Sequence, residues 1–187
     1  MKKWTWIVGC CLSIMACSSP QTTVFNVKDY RDENPIVLAV GTIMVQSDVV
    51  PSDVLPHIEK KIPITPSQAL INWAEHRFKS GRPNTNTALV LTIRDASMIQ
   101  ELKPSNHWYV LDNVVYELHY QLDMTYYQDG REMQKQTVSG FEKKSVPEQS
   151  SMTTKEKVWL DLINKMIQKV NRKVIADIPP GVILSEA

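Results

Sequence analysis

Charge of one sign is missing from this 187-residue sequence, in which 21 Lys+Arg stand against 20 Asp+Glu. That balance excludes the basic excess of a dedicated nucleic-acid binder. Long apolar runs are missing beyond residue 16, since charges recur too often there for a span of about 17–25 apolar residues. A multi-span membrane protein is therefore excluded. Cysteine is scarce as well. The three cysteines are Cys10, Cys11 and Cys17, and none remains to staple the rest of the chain. Catalytic motifs are absent too: there is no Gly-rich phosphate loop, no G-x-S-x-G, no H-E-x-x-H and no C-x-x-C. His57, His76, His107 and His119 are scattered, each alone in its element. These absences point away from an enzyme. What is present is 43% hydrophobic residues, enough for one globular domain, which at this length buries roughly 70% of its unfolded surface.

The N-terminus carries an address. Lys2 and Lys3 form a short positive region, and residues 4–16 are apolar but too short to span as a helix. The stretch ends Ile14-Met15-Ala16-Cys17, followed by Ser18-Ser19-Pro20, and it resembles the bacterial lipobox. That resemblance implies a signal peptide over 1–16, cleavage before Cys17, and a diacylglycerol and an N-acyl chain on Cys17, with no other cofactor. Cys10 and Cys11 would leave with the signal. The one remaining thiol would be capped by lipid, leaving nothing to mispair in an oxidising compartment. Two or three acyl chains anchor durably, because each buried CH₂ contributes about 0.8 kcal/mol. Ser18, and not Asp, follows the cysteine. By resemblance to Gram-negative sorting this implies the outer membrane, with the domain facing the periplasm.

The rest reads as a polar tether at 17–34, an α+β domain at 35–178 and a C-terminal tail at 179–187. Residues 36–45 suit a buried strand around Gly41. The segment 47–65 follows, with Pro51, Pro56 and Pro63, unusually long for a connection in a compact domain. Thr65, Pro66 and Gln68 predict a capped helix start. Leu70, Trp73, Ala74 and Phe78 share one face of that helix, and Gly81 with Pro83 stops it. Residues 87–94 read as a strand, and 95–110 as a surface excursion.

The clearest period in the chain comes next. Val114, Tyr116, Leu118, Tyr120, Leu122, Met124 and Tyr126 occupy every even position, which predicts a long strand with one buried face. Asp129-Gly130 fits a type I′ turn. A polar partner strand over 131–142 should then set Tyr126 opposite Met133, Leu122 opposite Thr137 and Leu118 opposite Phe141. Thr153 and Glu156 predict the start of a final helix over 154–176, about 34 Å long. Its apolar stripe is Trp159, Ile163, Met166, Ile167, Val170 and Val174. The expected order is β-α-β-β-β-α, with two helices packed on one face of a four-stranded sheet.

Three groups of residues are candidates for function. Glu117, His119 and Asp123 share the outward face of the long strand, but Glu117 and Asp123 would lie roughly 20 Å apart at 3.3–3.4 Å per residue, so no metal site is expected. Lys165, Lys169, Arg172 and Lys173 crowd the last turns of the final helix. They either complement the helix dipole or contact anionic lipid. Val54, Leu55, His57 and Ile58, around Pro56, form the candidate partner contact, since apolar residues held in a proline-stiffened segment suit an interaction patch.

The element order behind a lipidated cysteine resembles two groups of bacterial lipoproteins. One plugs the outer-membrane lipopolysaccharide translocon, and the other is auxiliary to lipid-transporting ABC systems. The likeness is best over 113–176, although Ser18-Ser19-Pro20-Gln21 lacks the first group's motif and the second group's tyrosine-rich opening is missing. Residues 63–77 (PITPSQALINWAEHR) with Ile93-Arg94-Asp95-Ala96-Ser97 are similar to a family of small uncharacterised proteobacterial lipoproteins. These resemblances imply a non-enzymatic envelope protein that sits on the membrane by its anchor and docks on an outer-membrane assembly or transport complex, with no nucleic-acid partner. A lipid- or lipopolysaccharide-binding module is the alternative.

Overall fold

The computed structural model describes residues 27–28, 30–106, 111–179 and 181–186. Cys17, residues 1–16 expected as a signal peptide, and His107 lie outside the described residues. The chain is α+β, as expected, but it builds two sheets and not one. In chain order its elements are β1 (Ile36–Leu38), β2 (Thr42–Ser47), α1 (Pro66–Arg77), β3 (Phe78–Ser80), β4 (Thr87–Lys103), β5 (Asn113–Gln128), β6 (Arg131–Pro147), α2 (Met152–Asp177) and β7 (Ile183–Glu186). A four-stranded sheet runs β2-β4-β5-β6, and a small sheet runs β3-β1-β7.

The strand expected over 36–45 is two strands, one in each sheet. The break lies at Gly41, whose amide donates to the Thr87 carbonyl at 2.9 Å. The backbones approach so closely that a Cβ on Gly41 would sit 2.1 Å from the Thr85 carbonyl oxygen. β1 turns away to pair in parallel with β3 and antiparallel with β7, so Ile183–Glu186, inside the expected tail, forms a strand. At the other end Val27 and Tyr30, inside the expected tether, are buried, and the Lys28 amide donates to Asn164 Oδ1 at 2.7 Å.

β4 is twice the expected length, because 95–103 continue the strand instead of looping out. The ladder with β5 shifts between Ile93 and Asp95, leaving Arg94 as an extra, bulged residue. The bulge flips the alternation: Leu89, Leu91 and Ile93 face the core before it, Ala96 and Met98 after it. All seven even positions of β5 are buried as expected. Asp129 and Gly130 take φ 52° and 75°, the positive values a type I′ turn needs. A second bulge beside that turn corrects the expected register. Tyr127 pairs Glu132 and Tyr126 pairs Gln134, so Met133 is the extra residue. Downstream, Leu122 faces Val138 and Leu118 faces Glu142, not Thr137 and Phe141. A one-residue slip exchanges faces, so Val138, Glu142 and Val146 turn inward while Phe141 is left 61% exposed.

Both helices cover the same face of the larger sheet. α1 is capped by Thr65, whose Oγ1 accepts from the Gln68 amide at 3.2 Å. The Gln68 side chain does not close the box; it donates to Asn72 Oδ1 at 2.8 Å. The helix ends at Arg77, and Phe78 already belongs to β3. The N-cap of α2 is Ser151 and not Thr153, its Oγ accepting from the Thr154 amide at 3.2 Å. The whole predicted stripe of α2 is buried, joined by Val158, Leu160 and Leu162. Where the helices meet, Asn171 Oδ1 accepts from Trp73 Nε1 at 3.1 Å and Arg77 Nε at 3.2 Å. Tyr116 and Trp159 pack edge-to-face, 5.6 Å between centroids. No helix among the described residues is long and apolar enough to cross a membrane.

Gly41→Ala should cost about 1–3 kcal/mol of unfolding free energy through overpacking, measured by urea denaturation. Gly130→Ala, where nothing lies within 4 Å of the added Cβ, should lose only the left-handed backbone preference, about 1–2 kcal/mol.

Candidate functional site

Residues 47–65 are pinned along the edge of β4. β2 covers only Ala88–Ile93 of that edge, and beyond the bulge the loop takes over. The Asp48 amide donates to the Ile93 carbonyl at 3.0 Å, the Gln100 amide to Pro56 at 2.8 Å, and the Ile58 amide to Met98 at 3.0 Å. His57 forms an antiparallel bridge with Ile99. Glu59, which the sequence reading did not single out, locks this arrangement. It is 2% exposed, and its carboxylate accepts from the Met98 amide at 2.7 Å through Oε1 and the Ser52 amide at 3.2 Å through Oε2. His57 Nδ1 lies 3.0 Å from Oε1. A buried carboxylate needs such partners to offset its lost hydration.

This geometry divides the expected contact residues. Val54 and Leu55 project into solvent at 73% and 64% exposure, and Val50 joins them at 86%. His57 is engaged by Glu59. Ile58 is fully buried, so it anchors the loop from below and is not available at its surface.

The basic flank of α2 faces the edge strand β6. Lys169 pairs Glu142 at 2.5 Å, while Asp161 receives Lys144 at 2.9 Å and Lys165 at 3.2 Å. The Lys144 ammonium, seconded by Lys165, holds the Asp161 carboxyl below its usual range against the cost of burial. Lys173 Nζ reaches the Ser139 carbonyl at 3.4 Å. Much of the flank therefore fastens helix to sheet. Arg172 and Lys173 line a groove of about 640 Å³ between α2 and β6, with Tyr120 and Gly140 beneath them.

On the opposite face of the sheet, Glu117, His119 and Asp123 are engaged by neighbours. Glu117 pairs Lys143 and lies 3.5 Å from His119 Nε2. Asp123 is 4% exposed, taking Thr137 Oγ1 at 2.7 Å, Arg94 Nε at 3.0 Å and Lys135 Nζ at 3.1 Å. Arg94 reaches on to Asp48. Burial works to raise the Asp123 carboxyl, but Thr137, Arg94 and Lys135 outweigh it and hold the group below the usual range. Asp123 and Thr125 are thus buried on a face expected to be solvated. No group of three His, Cys, Asp or Glu able to hold a metal ion occurs among the described residues. Tyr116, Tyr120 and Tyr126 serve the core, and burial pushes the Tyr126 hydroxyl up to about 12.

No family model matches the sequence, and no curated protein matches it. Among solved structures the chain is similar to a minor lipoprotein from Acinetobacter baumannii, at 13% identity and TM-score 0.42 over 75% of this chain and 94% of that one. It is also similar to a homolog of the neuraminyllactose-binding hemagglutinin from Helicobacter pylori, at 5% identity and TM-score 0.41 over 79% and 90%. A third is the rare lipoprotein B from Shewanella oneidensis, at 12% identity and TM-score 0.36 over 72% and 94%.

Asp123→Asn should destabilise the protein by about 1–3 kcal/mol at neutral pH, because Arg94 and Lys135 lose their carboxylate. The folded carboxyl lies below its unfolded value, near 3.9, so its contribution is full above that value and fades as pH falls through the folded one. Urea unfolding across pH should therefore show wild type and variant converging below about pH 4.

Proposed function

We propose that the protein is a non-enzymatic, lipid-anchored accessory of the cell envelope, docking on an outer-membrane assembly or transport complex from the periplasmic side. The observation that carries this reading is the sequence Ile14-Met15-Ala16-Cys17 at the end of a short apolar segment behind Lys2 and Lys3. A diacylglycerol and an N-acyl chain on Cys17 would supply the membrane anchor. The loop 47–65 supplies the docking surface: its backbone is fixed on β4, so Val50, Val54 and Leu55 are presented without the ordering cost of a mobile segment. Exposed apolar side chains on a fixed loop suit a protein partner.

The alternative, carriage of a lipid or lipopolysaccharide, requires an apolar space that a chain can enter. The layer between helices and sheet is instead occupied by Trp73, Met98, Tyr116, Leu118 and Ile163, each at most 1% exposed. That packing favours docking over carriage.

Cys17→Ser should abolish palmitate labelling and leave an uncleaved or soluble precursor, read by cell fractionation and mass spectrometry of the N-terminal peptide. A mature start elsewhere than Cys17 contradicts the anchor. Val54→Asp with Leu55→Asp should release the envelope partner captured by crosslinking in cells, with the melting temperature unchanged. A partner retained by that variant but lost in Lys169→Glu with Lys173→Glu would move the interface to α2.

A further inference from the structure

β6 ends the four-stranded sheet, and no strand among the described residues pairs with its outer edge. We infer that this edge accepts an acidic, extended segment of a partner protein as a fifth strand, with its carboxylates turned toward α2. The inference is independent of the loop 47–65 and of the anchor.

The main chain is presented for pairing. Within an antiparallel strand the N–H and C=O of one residue point to the same side, and successive residues alternate. The Ser139 carbonyl faces Lys173 of α2, 3.4 Å away, so it points off the sheet and its amide points with it. Thr137 and Phe141, two residues to either side, share that orientation. Gly140 between them carries no side chain, and the Tyr120 ring fills the space above it: a Cβ there would lie 2.5 Å from the Tyr120 hydroxyl. Approach to the edge at this point is open, along the groove of about 640 Å³ between β6 and α2.

Charge selects the occupant. Lys169 is paired with Glu142, but Arg172 and Lys173 have no carboxylate partner in an ion pair among the described residues, and Asp177 is the one acid beside them in the groove lining. Lysines flanking a strand edge repel most incoming strands. An acidic strand converts that repulsion into attraction, which is how such an edge discriminates. Side chains of an added strand alternate between the two faces. Those on the α2 side meet Arg172 and Lys173, while those on the other side meet Phe141, 61% exposed and stacked 6.1 Å from His119. The matching segment therefore alternates acidic with apolar residues. A second copy of this chain does not match, because over 134–145 the one acid that β6 carries is Glu142, which is buried and held by Lys169. Residues 18–26 of the chain itself carry no acidic side chain.

The test uses the full-length chain in neutral detergent and a short, end-capped, fluorescent peptide of alternating Glu and Val, followed by anisotropy. The peptide should bind, more weakly as salt rises, and Arg172→Glu with Lys173→Glu should lower the affinity at least about tenfold. A peptide of the same sequence N-methylated at alternate residues keeps the charge but loses the strand donors, and it should not bind; this control leaves the protein unaltered. Equal binding of the N-methylated peptide, or no effect of the double variant, overturns the inference. So does binding of short-chain phosphatidylglycerol without binding of the peptide, which would assign the cations to a lipid headgroup. A dimer that dissociates in the double variant overturns it in favour of a second copy.

Discussion

The buried carboxylate of Glu59 is the contact on which the layout of this domain depends. β4 is nearly three times as long as β2, so beyond the Arg94 bulge its second half pairs with β5 on one side and has no strand on the other. Left bare, that half would expose unpaired amides, the usual liability of a sheet edge. Glu59 resolves this from inside the loop by taking the Met98 amide directly and the Ser52 amide across the turn. Removing a carboxylate from water costs several kcal/mol unless its oxygens are satisfied, so the loop holds its shape only while these bonds are made together. Ile58 then drops into the core, Thr65 is set to cap α1, and Val54 and Leu55 are left standing outward.

The same logic of paired charge organises both faces of the larger sheet. On the helix side β6 offers α2 few apolar residues, and Glu142–Lys169 with Lys144–Asp161 take their place. On the far side the Arg94 bulge aims its guanidinium at Asp123 and Asp48, tying β4 to β5 and to the end of β2. The charges that look like a solvated coat in sequence are therefore partly fasteners. What they leave without a carboxylate in an ion pair among the described residues, Arg172 and Lys173 beside a free strand edge, is the more informative remainder.

The strand β5 was legible because a strict two-residue period needs only neighbours in sequence, and the stripe of α2 was legible for the same reason at a helical period. Each miss has a local physical cause. The Arg94 bulge shifts the apolar set from Leu89, Leu91 and Ile93 to Ala96 and Met98, so one continuous strand reads as a strand followed by a loop. The bulge at Met133 displaces the hairpin register by one residue, which moves Phe141 from the core to the surface. Gly41 looked like the centre of one strand, yet it marks a close backbone crossing between two. The contact residues proposed for the loop were half legible: its proline spacing and apolar content were visible, but only the pairing of Ile58 with Met98 separates the anchoring residue from the exposed ones. Nothing around Glu59 in sequence distinguishes it from a solvated carboxylate, since the shortest of its contacts, from the Met98 amide, comes from a strand some 40 positions later.

The central claim is that residues 47–65 form a fixed platform locked by Glu59. Native-state hydrogen exchange of the Ile58, Met98 and Gln100 amides, compared between wild type and Glu59→Gln, tests it most directly. The account predicts wild-type amides that exchange only with opening of the core, and in Glu59→Gln a local opening at least about tenfold faster, while Leu122 is unchanged. Unaltered exchange at Met98 and Gln100 in the variant, or wild-type exchange as fast as at a chain end, would contradict it.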